Sequence, residues 1–563
     1  MARTQWGDDV STGAEREPAP VSDATLRQVV IASAAGTVFE WYDFFVYGAL
    51  ATIIAGRFFA TLPESQAFIF TLLTFAAGFV VRPIGAIVFG KLGDSRGRKG
   101  AFLITISAMG LATFAIGLIP DYDAIGVWAP VLLIACRVVQ GFALGGEYGG
   151  AAIYVAEHAP QGQRGRQTSW IQGSAAIGLI GALGVVQLTR AAFGAEALAE
   201  WAWRVPFLLS LALLGLSLWI RVKLEESPVF QAMKAEGRGS DKALAESFLN
   251  WAHLKFVLIA LFGIMMAQGV VWYTGHFYAQ YFLERFPRLP GSTVSNLMIL
   301  VVLASAPLYI FWGWLSDRIG RKPVMLLGMG LMLVAYFPGF HLLTRAANPA
   351  YANALASVPV VVRADPADCA FLFDATGTAT FDSSCDVARI ALSDRGVAYR
   401  QEPGPPGAPA QVLIGNAAGI EAPDAAAAGG ARAAKAVQKA FSERLAGPLQ
   451  QAGYPLEAAP GQVNAPLILA VLLVFIIAAT ALYGPIAAAL VELFPTRIRY
   501  TAMSAPYHIG TGWFGGLLPA VVFAINGATG NLYAGLWFPA IVTAIAIVVN
   551  LAFLPETKGR PLQ

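Results

Sequence analysis

Charge is what this sequence has least of. Of 563 residues only 13% are Asp, Glu, Lys or Arg, while 56% are hydrophobic; an ordinary soluble chain carries about 25% charge. Nothing so apolar stays dissolved in water. The net charge is only +3 and the basic residues are scattered in short clusters, which excludes the basic stripe of a DNA- or RNA-binding protein. Cysteine is scarce too. Cys136, Cys369 and Cys385 are too few for a disulfide scaffold and too dispersed for a zinc or iron–sulfur site, so neither a metal nor a cofactor is implied. The first 26 residues lack a short apolar run ahead of a small-residue cleavage site, so no removable signal peptide is expected and the first apolar segment must target the chain.

What is present comes in long blocks. Twelve apolar runs lie at about 28–55, 67–90, 100–120, 129–156, 168–190, 202–221, 254–282, 293–315, 323–343, 465–493, 501–525 and 531–554. In lipid an unpaired backbone amide costs several kcal/mol, and the alternation of a barrel strand is absent, so the runs predict an all-α integral membrane protein with twelve transmembrane helices. Lys and Arg concentrate in the even connections, such as Lys91, Arg96, Arg98 and Lys99, or Arg318, Arg321 and Lys322, whereas the first odd loop holds only Arg57. Even loops and both termini are therefore expected in the cytoplasm.

One connection is out of scale. Residues 344–464 carry a β-type run at 358–362, a turn-rich stretch at 403–407 and an Ala-rich helical stretch at about 431–452. Sidedness places this small α/β-type insert outside, where Cys369 and Cys385 could bridge or remain free thiols. Its nine basic and eleven acidic residues predict no strong field.

An internal repeat explains where the insert sits. Asp94-Ser95-Arg96-Gly97-Arg98-Lys99 recurs as Asp317-Arg318-Ile319-Gly320-Arg321-Lys322, an offset of 223, and Glu157, followed by Arg164 and Arg166, recurs as Glu492, followed by Arg497 and Arg499, the glutamates lying at an offset of 335. The difference, 112, matches the excess length between runs nine and ten. The chain thus divides into a tail (1–27), a first six-helix half (28–221), a central cytoplasmic loop (222–253), helices seven to nine (254–343), the insert (344–464), helices ten to twelve (465–554) and a second tail (555–563). Two pseudo-symmetric halves with a site between them are a transporter architecture.

Three stretches carry a family resemblance: Glu40-Trp41-Tyr42-Asp43-Phe44; Arg82-Pro83-Ile84-Gly85 leading to Gly90-Lys91-Leu92-Gly93-Asp94; and Arg137-Val138-Val139-Gln140-Gly141 continuing to Gly145-Gly146-Glu147-Tyr148-Gly149-Gly150. Over 28–343 and 465–558 the chain resembles the major facilitator superfamily, and within it the metabolite:proton symporters related to shikimate, α-ketoglutarate, citrate and proline/betaine carriers. The insert departs from that pattern. The resemblance implies alternating access driven by an ion gradient.

The residues supply the chemistry. Asp94 and Asp317 can accept from nearby helix ends while Arg98 and Arg321 pair with Glu157 and Glu492, forming a cytoplasmic gate. Glu40 and Asp43, three apart on one helix face at membrane depth, are candidate proton carriers, since a buried carboxylate is costly unless paired or functional. Arg82 and Arg137 offer the fork that suits a carboxylate; they either bind substrate or neutralise Glu40, Asp43 or Glu147. Tyr42, Glu147, Tyr148, Gln172 and Gln268 are candidate cavity-lining groups, and His276 and His508 could carry a proton. Gly141, Gly145 and Gly149 have the spacing of close helix contact. Gly85 to Lys91 mimics a phosphate-binding loop, but Leu92 replaces the hydroxyl residue, so no nucleotide is expected. The reading is a monomeric, proton-coupled symporter of a small polar metabolite, a carboxylate or zwitterion, in the inner membrane. A membrane sensor binding its ligand through the insert is the alternative, and no nucleophile–base set suggests an enzyme.

Overall fold

The apolar runs fold as helices whose greasy faces turn outward, leaving Leu188, Val334 and Val548 at 70%, 74% and 63% exposure. The computed structural model describes residues 23–62, 64–96, 98–146, 148–222, 243–370, 381–428, 431–496 and 498–562. The first half contains α1 (Asp23–Ala49), α2 (Gln66–Phe89), α3 (Arg98–Leu118), α4 (Trp128–His158), α5 (Arg164–Phe193) and α6 (Arg204–Val222). The second contains α7 (Trp251–Arg285), α8 (Gly291–Ile319) and α9 (Arg321–Ala347), then two insert helices, α10 (Ser384–Asp394) and α11 (Ala431–Gln451). It ends with α12 (Ala465–Leu493), α13 (Arg499–Thr529) and α14 (Ala534–Phe553).

Among the described residues ten helices are long and apolar enough to cross a membrane, and an eleventh forms if Ala195–Ala202 and Arg204–Trp219, bent by 65°, are one span. The expected third run contains a shorter apolar helix, Leu103–Leu118. The ninth run extends past its expected end at 343, to Ala347.

Glycines set the helix spacing. A Cβ at Gly141 would lie 1.6 Å from the Gly78 carbonyl oxygen, and one at Gly145 2.1 Å from that of Arg82, so α2 and α4 meet backbone to backbone. The halves meet the same way through α5 and α8, where a Cβ at Gly165 would stand 2.5 Å from the Gly313 oxygen. Gly320, in the second D-x-x-G-R-K turn, has φ 109°, and a Cβ there would also strike Glu556; both facts demand glycine. In α7 and α13 single π-helical turns (Leu261–Met265, Thr274–Tyr278 and Gly510–Gly516) rotate the side chains that follow.

The insert is a folded unit. Strands β1 (Val360–Ala364), β2 (Arg400–Pro403), β3 (Gln411–Ile414) and β4 (Ile420–Glu421) form one sheet in the order β2-β1-β3-β4. β1 runs parallel to β2 through α10 and antiparallel to β3, with Val362 opposite Val412. Val360, Val362 and Ala364 alternate into the core, the period-2 burial of a half-covered sheet. A Cys369–Cys385 disulfide ties the segment after β1 to the start of α10. The turn-rich stretch after 403 leads into β3 and β4.

Candidate functional site

Arg82, on α2, is 1% exposed, and among the described residues no carboxylate lies within ion-pair distance of it. Its guanidinium stands over the rings of Phe79 (3.9 Å) and Phe44 (4.6 Å), so aromatic faces stand where an acid would be expected. Tyr273, Tyr483 and Tyr507 lie within its electrostatic reach. The Tyr507 ring lies flat on that of Tyr148, centroids 3.6 Å apart, and its hydroxyl meets that of Tyr483 at 2.7 Å. Gln172 donates to the Tyr148 hydroxyl. Across this space Trp272 stacks on His276 at 4.2 Å and on Phe45 at 5.8 Å, and donates to the Tyr309 hydroxyl at 2.7 Å.

Several polar atoms here have no partner among the described residues: Arg82 Nε and Nη2, Gln172 Oε1, the Tyr273 hydroxyl and His276 Nε2. Native interiors rarely leave such groups unsatisfied, and a cluster of them marks a place where a polar ligand fits. Tyr148 and Gln172 are thus brought together with Arg82 through Tyr507, on which His508 also packs, whereas His276 is placed against Trp272. Gln268 is spent on Thr511 at 2.8 Å, and the Tyr42 hydroxyl on the Pro206 carbonyl at 2.8 Å, a tie between α1 and α6. His508 is buried beside Tyr507.

Arg137 and Gln140 form a second group. Arg137 Nη1 donates to Gln140 Oε1 at 2.6 Å, and Gln140 Nε2 to Thr113 Oγ1 at 2.6 Å. Asp43 Oδ1 has no partner among the described residues. Arg137 also stands 4.4 Å from the Phe44 ring that Arg82 covers, so both arginines share one aromatic. Glu40 is buried one turn earlier.

A third group lies at the end of the molecule that holds the D-x-x-G-R-K turns. Asp317 accepts from the backbone amides of Gly165 (2.9 Å) and Arg166 (2.8 Å), the first turn of α5 in the other half. Arg321 donates to Asp317 at 2.6 Å and forks onto Glu492 at 3.0 and 3.2 Å. Glu157 meets Arg499 of the opposite half at 3.3 Å. Arg164 approaches Glu492 at 3.9 Å, and the C-terminal tail joins in, Glu556 accepting from the Arg321 amide at 2.9 Å. Glu147, and the side chains of Asp94 and Arg98, lie outside the described residues.

The sequence reading missed Phe44, Phe79, Trp272, Tyr273, Tyr309, Tyr483 and Tyr507. A signal existed: Trp and Tyr favour membrane interfaces, so their presence at mid-span is a hint of a polar lining. It also missed Arg499 and Glu556 as partners of the motif residues.

The model of the sugar (and other) transporter family matches residues 28–253 and 447–563. The chain belongs to that family. The proline/betaine transporter of Escherichia coli (strain K12) is 36% identical over 336 residues, which are 58% of this chain and 67% of that protein. The glycine betaine/proline/ectoine/pipecolic acid transporter OusA of Dickeya dadantii (strain 3937) is 37% identical over 332 residues, 57% of this chain and 66% of that one. The alignments therefore span about two thirds of these relatives' length. The structure of the major facilitator superfamily proton:xylose symporter XylE bound to 6-bromo-6-deoxy-D-glucose superposes with a TM-score of 0.58 at 17% identity, covering 96% of this chain and 98% of that one. A double-tryptophan XylE mutant gives 0.61 at 15%, with the same coverage. Likeness at this identity is one of fold: the chain has the major facilitator fold. The family is one of transporters, in line with the transport expected from the residues and against an enzyme.

Proposed function

We propose that this carrier couples proton entry to the import of a small zwitterion of the betaine or proline type by alternating access. One observation carries the reading: a buried guanidinium, Arg82, set among aromatic rings with two unpartnered nitrogens and no carboxylate of its own among the described residues. A substrate carboxylate satisfies that fork, while Tyr148 and Tyr507 offer the π faces that attract a quaternary or secondary ammonium. The relatives' names point to the same class of compound. Asp43 carries the proton, with Glu40 beside it.

On this reading the bent pair and Leu103–Leu118 complete twelve spans, and the domain boundaries are those drawn from the sequence. The D-x-x-G-R-K end, both termini and the central loop face the cytoplasm, where Asp317, Arg321, Glu492, Glu157 and, by the repeat, Asp94 and Arg98 form the gate. The insert lies outside the inner membrane, which the Cys369–Cys385 disulfide supports because such bonds persist in oxidising compartments. One chain suffices for the path.

Purified carrier in proteoliposomes tests this. Labelled glycine betaine or proline should show saturable counterflow and should accumulate uphill under an inward proton gradient. Asp43→Asn should keep counterflow and lose accumulation, because exchange needs no net deprotonation. Absence of counterflow with both compounds would refute the substrate class.

A further inference from the structure

We propose that the cavity between the insert and the two halves, at the end of the molecule opposite the D-x-x-G-R-K turns, binds a small multivalent anion that also carries a hydroxyl, of the hydroxycarboxylate or hydrogenphosphate class, and that this occupant holds the three parts together. The cavity measures about 570 Å³, within the range of small-molecule sites. The proposal does not depend on which metabolite the carrier moves.

Charge carries it. Arg285 at the end of α7, Arg288 just beyond it, Arg395 after α10, and Lys435 and Lys439 on α11 line the cavity, and Asp394 is the acid among the lining residues. Arg285 approaches the Asp394 carboxylate at 3.5 Å and Arg288 donates to the Asp394 carbonyl. One further acid, Glu443, stands 4.0 Å from Lys439, both side chains being mostly exposed. Three positive charges are left over. Lys435 and Lys439 lie one turn apart on one face of α11, where like charges repel. Arg395 gives its Nε to the Ser442 carbonyl at 2.7 Å, and among the described residues no carboxylate lies within ion-pair distance of it. Burial depresses the Arg395 pKa below its ordinary value in spite of Glu443 and Asp394. An anion that enters such a space relieves the repulsion of its walls.

Two further observations point to a ligand. Arg288 has φ 58°, which among the described residues makes it the non-glycine residue in the left-handed region. Glycine would take that conformation freely; an arginine held there implies that its side chain is needed at the cavity. Gln438, between the two lysines and 7% exposed, also lines the space. Its Nε2 donates to the Phe381 carbonyl at 2.8 Å, and its Oε1 has no partner among the described residues. That oxygen needs a donor, which an ionised carboxylate lacks and a hydroxyl supplies. A betaine brings neither net charge nor a donor, so this site and the one at Arg82 select different compounds.

The walls set the consequence. Thr52, Ala60 and Phe68 of the first half close the cavity, and Lys435 donates to the Ala60 carbonyl. The anion is therefore enclosed only while the halves meet at this end, and a ligand that binds one form better shifts the population toward it.

Labelled citrate, titrated into purified full-length carrier at constant ionic strength, tests this. Binding should be saturable, and inorganic phosphate should compete. Arg395→Gln should weaken it by at least about tenfold, the loss of a charge-assisted bond. Lys439→Glu alters a side chain that is 77% exposed, serves if the arginine variant does not fold, and should weaken binding about two- to fivefold. Tricarballylate, which is citrate without its hydroxyl, should bind at least about twofold more weakly. Citrate should also slow maleimide labelling of Thr52→Cys. Absence of saturable binding, or binding that neither substitution changes, overturns the site. Equal affinity for tricarballylate overturns the hydroxyl requirement, and bound citrate with unchanged labelling overturns the closure. Short-chain phosphatidylglycerol should not displace citrate; if it does, the occupant is a lipid headgroup and the soluble ligand is wrong.

Discussion

Asp317→Asn changes one charge and almost no volume, at the point where the halves are joined most directly. The carboxylate takes two amides from the first turn of α5 and one guanidinium nitrogen of Arg321. A negative charge at a helix N-terminus is worth ~0.3–1 kcal/mol when exposed and up to ~2 kcal/mol when partly buried. Hydrogen bonds to charged groups contribute ~1.5–3 kcal/mol each. Asparagine offers one acceptor oxygen to three donors and turns an NH2 toward the rest. Arg321 stays anchored by Glu492, so the loss falls on the contact between halves, about 2–3 kcal/mol of it. At 1.4 kcal/mol per decade the equilibrium shifts away from the closed form by roughly 30- to 150-fold. Ser504→Cys reads this out, since Ser504 is buried against Gly149 of the other half. Maleimide applied from the D-x-x-G-R-K side should label that cysteine at least about tenfold faster when Asp317→Asn is present. Transport turnover should fall, with substrate affinity altered far less. Unchanged labelling together with normal turnover, or lost binding with normal turnover, would refute the reasoning.

Arg82→Gln should weaken glycine betaine binding by about 10- to 150-fold, the value of a charge-assisted bond of ~1.5–3 kcal/mol, and Arg82→Lys should rescue little because the fork is lost; equilibrium binding to purified carrier decides. Gly145→Ala places a Cβ 2.1 Å from the Arg82 carbonyl oxygen, and should lower stability by ~1–3 kcal/mol in thermal unfolding; a wild-type melting curve would contradict the close packing of α2 and α4. Replacing Cys369 and Cys385 by serine should remove ~3 kcal/mol from the insert for a loop of this size, read as faster proteolysis within it and not in the spans. Burial raises the Asp386 carboxyl above its ordinary value, so the folded insert binds that proton more tightly than the unfolded chain and gains stability as pH falls toward the ordinary carboxylate range; Asp386→Asn should flatten that gain.

The helical membrane fold and the internal repeat were legible because each rests on a pattern spread over many residues. Apolar length is hard to disguise, and the two D-x-x-G-R-K copies differ from one another only inside the turn. The partners were less legible. Arg321 with Glu492 follows from the repeat, but Glu157 with Arg499 crosses the halves, and nothing local to either residue announces the other. The bonds from Arg137 through Gln140 to Thr113 were hidden in the same way, since Thr113 reads as one more small residue in an apolar run. Charge totals also misled. The insert's balance of basic and acidic residues predicts no field, yet Arg395, Lys435 and Lys439 of the insert line, with Arg285 at the end of α7 and Arg288 just beyond it, the cavity of about 570 Å³ in which Asp394 is the acid that faces them. Composition counts charges, and folding decides which ones meet.

That cavity shows how differently the two ends of the molecule are closed. The D-x-x-G-R-K end is held by charges that the repeat encodes. At the opposite end apolar contacts join the halves: Phe68 of α2 packs edge-on against Tyr281 of α7 and Phe523 of α13 at 5.3 and 5.5 Å, and the Tyr281 hydroxyl reaches the Gly48 carbonyl of α1 at 3.1 Å. The insert sits over this seam and is tied mainly to the second half. The Tyr399 amide and hydroxyl take the Gly530 and Gly527 carbonyls at 2.9 and 2.8 Å, and Arg389 takes that of Ala528 at 3.0 Å. Gly530, at φ 67°, lets the two backbones approach, for a Cβ there would stand 2.4 Å from the Tyr399 oxygen. Toward the first half a polar tie runs from Lys435 to the Ala60 carbonyl. Three backbone-directed bonds plus a glycine contact outweigh a lysine on a flexible stem, so if the halves part at this end the insert travels with the second one and the lysine tie breaks. A charge-assisted bond of that kind is worth ~1.5–3 kcal/mol, small enough to be broken in every cycle and large enough to change how long the closed form lasts.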